Sequence, residues 1–167
     1  MKPMIFTLVG RDKPGLIESL AQTVFNMGGN WLASNFSHMA GHFAGFVQID
    51  LPADKYSQLV DTFSRHSDLR IHLVEGSTVD VSNDITAQID IMGNDKAGIV
   101  QELTSILAQF NINIVKFDSS CGSAPNWGSS MFKARATISM AKDFDVEPLR
   151  EALEEVANDL MVDIDLQ

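Results

Sequence analysis

The chain has 167 residues, of which 12 are Lys or Arg and 22 are Asp or Glu, so its formal net charge is −10. A protein that neutralises phosphates needs a surplus of basic side chains, so this deficit argues against direct binding to nucleic acid. The hydrophobic content of 45% excludes a disordered chain, and the length fits one medium domain or two small ones.

The first half of the chain alternates strand-like and helix-like segments. Its pattern predicts strands near 4–10, 31–38, 43–51 and 69–75, and helices near 14–28 and 55–66. The apolar residues of the first helix recur at spacings that place them on one helical face. They are Leu16, Leu20, Val24 and Met27.

The second half repeats this pattern. A shift of 83 positions aligns residues 10–16 (GRDKPGL) with residues 93–99 (GNDKAGI), and it also aligns the apolar face of the first helix with Ile99, Leu103, Leu107 and Phe110. Asn30 falls on Asn113, and each precedes a second apolar run. The two halves are therefore predicted to be copies of one domain.

The remaining elements of the second half follow in the same order. Strands are predicted from Ile85, over 112–117, over 132–140 and over 161–166, with a Gly-, Ser- and Pro-containing loop at 121–130. A second helix follows Pro148, and its apolar face is Leu149, Leu153, Val156 and Leu160.

Each half therefore reads strand–helix–strand–strand–helix–strand, which is the order of a ferredoxin-like split βαβ fold. The fold class is α+β, with two βαββαβ domains in tandem. Domain 1 is expected at residues 1–78, a linker at 79–84 and domain 2 at 85–167. If Met4, Phe6 and Leu8 face the helices, Ile5 and Val9 lie on the opposite, apolar face, which the other repeat or a second copy of the chain would cover.

Cysteine usage and hydropathy favour a cytoplasmic protein. Cys121 is the single cysteine, so no disulfide forms within the chain, and no apolar segment reaches the length of a membrane span. The pair His38 and His42 lacks the partners of a metal site, and we expect these histidines to be solvated. No metal or cofactor is expected.

Two βαββαβ repeats that carry these turns resemble tandem ACT domains, which sense small molecules in amino-acid metabolism. The resemblance rests on residues 12–16 (DKPGL), on 28–30 (GGN), and on their echoes at 95–99 and 111–114. Among proteins that consist of ACT domains alone, the chain resembles the glycine cleavage system transcriptional repressor group. That resemblance implies a non-enzymatic regulator that binds a small amino acid, glycine in this group, and acts by contact with a LysR-type transcription activator protein. It also implies a homodimer.

The same resemblance implies ligand-binding residues in both repeats. In repeat 1 they are Asp12, Lys13, Pro14, Gly15, Leu16 and Asn30, and in repeat 2 they are Asp95, Lys96, Gly98, Ile99 and Asn113. The backbone N–H groups at the start of each helix favour an anion such as a carboxylate. The competing interpretation is that Asp12 and Asp95 cap the helices with their own carboxylates, at about 1 kcal/mol each. Asn30 and Asn113 either form hydrogen bonds with the ligand or serve as turn residues.

Repeat 2 departs from the motif at Ala97, where repeat 1 has Pro14, and at Asn94, where repeat 1 has Arg11. Repeat 1 has Trp31 where the family usually carries a small aliphatic residue. Either departure allows one repeat to bind ligand while the other is structural.

Other functions stay open. The chain could be an amino-acid-binding regulatory subunit of a biosynthetic enzyme, as other ACT proteins are. Arg11 with Asn30 or Asn35 is similar to the anion-binding residues of acylphosphatases, which share the fold. The acidic residues that concentrate between 143 and 165 form either a solvated helix face or a docking face for a basic partner.

Overall fold

Residues 1–77, 83–123, 128–156 and 159–167 are described by a computed structural model. The chain divides into two units, residues 1–80 (domain 1) and 81–167 (domain 2). Most of the predicted linker, residues 79–82, lies outside the described residues.

Both domains have the same element order, βαββαβ. Domain 1 contains β1 (Lys2–Arg11), α1 (Leu16–Asn26), β2 (Asn30–Met39), β3 (His42–Leu51), α2 (Tyr56–Ser64) and β4 (Leu69–Glu75). Domain 2 contains β5 (Ile85–Asn94), α3 (Ile99–Gln109), β6 (Asn113–Ser123), β7 (Ser130–Met140), α4 (Glu147–Glu154) and β8 (Met161–Leu166). The sheet orders are β2-β3-β1-β4 and β6-β7-β5-β8, with antiparallel neighbours throughout. The predicted pair of ferredoxin-like domains is confirmed.

Each core lies between one face of the sheet and the helices. The predicted faces of α1 and α3 are the buried ones, with Leu20 and Leu103 each 1% exposed. Strand β1 alternates as its sequence predicts, since Met4, Phe6 and Leu8 are buried. The other face of each sheet is open to solvent, so its side chains are available for function.

The aromatic residues of domain 1 divide between these two faces. Trp31 is half-buried and packs edge-on against Phe6, at 5.8 Å between ring centroids, while Phe36 stacks on Phe43 at 5.1 Å. Phe46 lies on the open face and is 54% exposed. Trp31 thus contributes to the core, whereas Phe46 offers an apolar contact surface. Trp127 lies outside the described residues.

Two predicted segments differ from the structure. Strand β6 continues to Ser123, beyond the predicted end at Phe117, because the backbone of Cys121 pairs opposite Phe132 on β7. The predicted loop at 121–130 is therefore shorter. Helix α4 ends at Glu154, although its apolar spacing continues to Leu160, which is buried just before β8. Periodicity alone does not distinguish a helix from an irregular segment that buries the same side chains.

Candidate functional site

The turn between β1 and α1 ends in a glycine with a left-handed backbone. Gly15 occupies the N-cap position of α1 with φ 86°, and Gly98 occupies that of α3 with φ 84°. Neither helix has a side-chain cap, so the prediction that Asp12 and Asp95 cap the helices is wrong. The chain enters each helix through a conformation that favours glycine, and glycine has no side chain to cap with.

The start of α1 consequently presents backbone N–H groups that no side chain caps. The helical bonds begin with the amide of Ser19, which donates to the carbonyl of Gly15 at 3.0 Å. Amides in the turn before Ser19 add to the positive end of the helix dipole, which favours a carboxylate. The side chain of Leu16 is buried in the core, so only its backbone is available to a ligand. The same holds for Ile99 in domain 2.

Lys13 provides the positive side chain beside this helix start. Its ammonium donates to the carboxylate of Asp68, and this hydrogen bond lowers the pKa of Asp68 below its ordinary value. Lys13 and Asp68 are both partly exposed. With Pro14, Gly15 and Leu16 they line a cavity of about 390 Å³, and Asp12 lines an adjoining one of about 320 Å³. Cavities at this turn are of a size that suits a small amino acid.

The corresponding turn of domain 2 is held more tightly by its own domain. Lys96 donates to the carboxylate of Glu102 at 2.6 Å and to the carbonyl of Val156 at 2.8 Å. The amide of Asp95 donates to the carbonyl of Ser130 at 2.9 Å. A ligand at this turn would have to compete with those contacts for the Lys96 ammonium.

Asn30 and Asn113 lie at the other end of their sheets. Asn30 begins β2 and pairs opposite Asp50, close to the start of β1, whereas the turn with Asp12 follows the end of β1. Asn113 begins β6 in the same way. Within each domain a strand of ten residues, about 30 Å long, separates the asparagine from the turn. The turn residues are therefore brought together by the fold, and the asparagines are not part of that cluster.

Comparison with known proteins identifies the fold family. The family model of the ACT domain matches residues 2–73 and residues 86–167. The chain belongs to the ACT domain family. Two crystal structures resemble this tandem ACT protein over 99% of its length. An unknown protein from Galdieria sulphuraria is 22% identical, with a TM-score of 0.79 over 98% of that chain. A protein provisionally assigned as a glycine cleavage system transcriptional repressor is 18% identical, with a TM-score of 0.69 over 97% of that chain. No curated protein sequence matches.

His38, His42 and Cys121 lie on strands in the described part of the ACT domains. No group of three or more His, Cys, Asp or Glu side chains among those residues could hold a metal ion. His38 and His42 are exposed, on β2 and β3 respectively. Local desolvation and the nearby Asp95 carboxylate raise the pKa of the Cys121 thiol, which disfavours the reactive thiolate. Over the same residues, no helix is long and apolar enough to cross a membrane.

The open sheet face of domain 2 holds a groove that the sequence analysis missed. Its volume is about 720 Å³, and charged side chains from all four strands of this ACT domain line it. Two ion pairs line it: Arg135–Asp90 at 2.6 Å joins β7 to β5, and Lys116–Asp118 at 3.3 Å lies along β6. The alternation of charged with buried residues on β5 and β7 was the available signal, because it marks a polar outer face.

Proposed function

We propose that this tandem ACT protein is a non-enzymatic, cytoplasmic regulator that binds a small amino acid at the β1–α1 turn of domain 1. The observation that carries the proposal is the helix start at Gly15, which no side chain caps and which lies beside Lys13 and a small cavity. The amino-acid carboxylate would accept hydrogen bonds from the first-turn amides and from Lys13. Membership of the ACT family supports this role.

The proposed ligand is glycine, and the proposed target is an activator protein of glycine cleavage genes. The protein with a TM-score of 0.69 and the glycine cleavage assignment supports a role in regulating glycine cleavage genes, by analogy of fold. A net charge of −10 favours contact with a protein over contact with DNA. Bound glycine would shift an equilibrium between a form that contacts the activator and a form that does not.

The proposed assembly is a homodimer in which a second copy covers the open face of domain 1. Three exposed apolar side chains support this proposal, namely Ile5, Phe46 and Val74, which are between 41% and 54% exposed. They lie on three neighbouring strands, so they form a continuous patch of the kind that associates in water.

Calorimetric titration of the full chain with each standard amino acid tests the ligand. We expect heat with glycine, no heat with large side chains, and loss of binding in Lys13→Met. The matched variant Lys96→Met alters the equivalent lysine of domain 2 and should keep the affinity for glycine within about twofold. Absence of heat with every amino acid would refute the ligand, and equal losses in both variants would refute the choice of domain 1.

Affinity capture from native extract tests the partner. A transcription activator that is captured in a glycine-dependent manner supports the proposal. Capture of a biosynthetic enzyme in its place would favour the alternative role as a regulatory subunit. This result is independent of the titration, because the ligand site and the partner surface are measured separately.

A further inference from the structure

A third cavity of domain 1 lies where β1 ends and β3 and β4 begin. Its volume is about 600 Å³, and it is lined by basic side chains from several elements. Arg11 comes from β1, His42 from β3 and Arg70 from β4, while His66 lies in the segment that precedes β4. This cavity shares His66 and Asp68 with the cavity of about 390 Å³ at the β1–α1 turn, but Arg11, His42 and Arg70 line it alone.

The strand register places the two arginines close together on the open face. Arg11 pairs opposite His42, and Val9, two residues earlier on β1, pairs opposite Arg70. Arg11 and Arg70 are thus diagonal neighbours on adjacent strands, with a backbone separation of about 7–8 Å. Both side chains are exposed and long enough for their guanidinium groups to reach a single bound anion between them.

The charges around the cavity are not balanced internally. Among the described residues that line it, Asp68 carries the one carboxylate, and Lys13 already pairs with it. Neither arginine forms an ion pair with any residue that the structure describes. The cavity therefore holds two positive charges that a bound anion could neutralise.

The backbone contacts of His66 and His42 indicate which ring nitrogen of each carries the proton. Nδ1 of His66 accepts hydrogen bonds from the amides of Asp68 and Leu69, at 3.3 and 3.2 Å. Because that nitrogen accepts, the ring proton lies on Nε2, which is available as a donor. In His42, Nδ1 lies 3.2 Å from the carbonyl of Ala40, an arrangement in which Nδ1 donates. Both rings are thereby oriented by the backbone without using Nε2.

Domain 2 shows that the fold itself does not require these basic residues. The positions equivalent to Arg11, His42 and Arg70 are Asn94, Met131 and Met161, as the matching strand registers show. The two domains have the same sheet order and equally buried cores, yet only domain 1 carries the basic set at this end of its sheet. The basic set is therefore not needed for the fold.

We propose that this cavity binds the phosphate group of a small phosphorylated molecule. Donors that converge from β1, from β4 and from the segment before β4 suit the oxygens of a tetrahedral phosphate better than the two coplanar oxygens of a carboxylate. The cavity is larger than phosphate alone, and Val9 extends its wall onto the apolar open face. The ligand is thus a phosphate monoester whose other half is apolar.

Amide chemical-shift titration of the full-length, isotope-labelled chain tests this site, with inorganic phosphate, phenyl phosphate and succinate as probes at constant ionic strength. We expect saturable shifts at Gly10, Asp68 and Leu69, with phenyl phosphate binding most tightly and succinate most weakly. Arg11→Asn combined with Arg70→Met installs the domain 2 residues and should weaken phosphate binding by at least about tenfold.

The control removes the same charge elsewhere. Lys2→Asn combined with Lys142→Met leaves the cavity intact and should bind phosphate within about twofold of the original chain. Arg70→Met alone is a second variant at an exposed position, and it should also weaken binding. Shifts centred on other residues, tighter binding of succinate, or equal loss in the control would overturn the proposal.

Discussion

The two domains share a core and differ on the open face of the sheet. Position by position, Phe46 of domain 1 corresponds to Arg135 of domain 2, Thr7 to Asp90, and Val74 to Asp165, since each occupies the same place in its register. An apolar patch in one copy is thus replaced by an ion pair and further acidic side chains in the other. The core is set by the demands of folding, whereas the open faces have diverged because folding does not constrain them.

If the two cores are equivalent, shortening the corresponding side chain in each domain should lower the free energy of unfolding by the same amount. Leu20→Ala and Leu103→Ala each remove a side chain that is 1% exposed at the same place in its helix. We expect each to lower the free energy of unfolding of its own domain by about 2–5 kcal/mol, from lost burial and the cavity left behind. Denaturant titration followed by domain-specific amide signals measures both. A difference of several kcal/mol between the two would contradict the equivalence of the cores.

A smaller effect should distinguish Gly10, near the end of β1, from Gly93, near the end of β5. A Cβ atom at Gly10 would lie 2.2 Å from the backbone oxygen of Asp68, whereas one at Gly93 would lie 3.3 Å from that of Asp159. Gly10→Ala must therefore displace β4, at a cost of about 1–3 kcal/mol. Gly93→Ala should cost well under half as much. Thermal unfolding checks the order of the two variants, and the reverse order would show that β4 adjusts freely in domain 1.

Replacing an open-face residue of domain 1 by its counterpart from domain 2 should weaken the proposed homodimer. Phe46→Arg gives domain 1 the residue of domain 2 and places a charge within the proposed dimer contact. Loss of a buried aromatic side chain is worth about 1.5–3 kcal/mol, so we expect the dimer dissociation constant to rise by at least about tenfold. Sedimentation velocity measures this change. Arg135→Phe is the matched control in domain 2, and a dimer insensitive to Phe46→Arg would place the contact elsewhere.

The sequence predicted the fold well because repetition and periodicity report directly on the buried face. Both helices could be placed from their apolar faces, which are Leu16, Leu20 and Val24 in α1 and the corresponding residues in α3. The sequence also drew attention to the turn residues, but it left open a competing interpretation of Asp12 as a helix cap, which the left-handed Gly15 at the N-cap position excludes. Backbone conformation at a glycine is not visible in residue types alone.

The sites on the open faces were harder to predict for a different reason. Arg11 and Arg70 are 59 positions apart, and they become neighbours only through the register of β1 with β4. Asp90 and Arg135 likewise meet across β5 and β7. Such clusters depend on strand pairing over long sequence distances, so only the assembled sheet brings them together.

The smallest effect concerns the ion pair that replaces the apolar patch. The hydrogen bond from Arg135 lowers the pKa of Asp90 below its ordinary value of about 3.9. A carboxyl with a depressed folded pKa stabilises the fold above its unfolded pKa, and this stability is lost as the pH falls through the folded pKa. Arg135→Met should thus lower the free energy of unfolding slightly at neutral pH and leave it almost unchanged in strong acid. Denaturant titrations at several pH values measure the difference. A cost that persists at low pH would show that Arg135 acts through packing of its aliphatic stem and that charge is not what distinguishes the two faces.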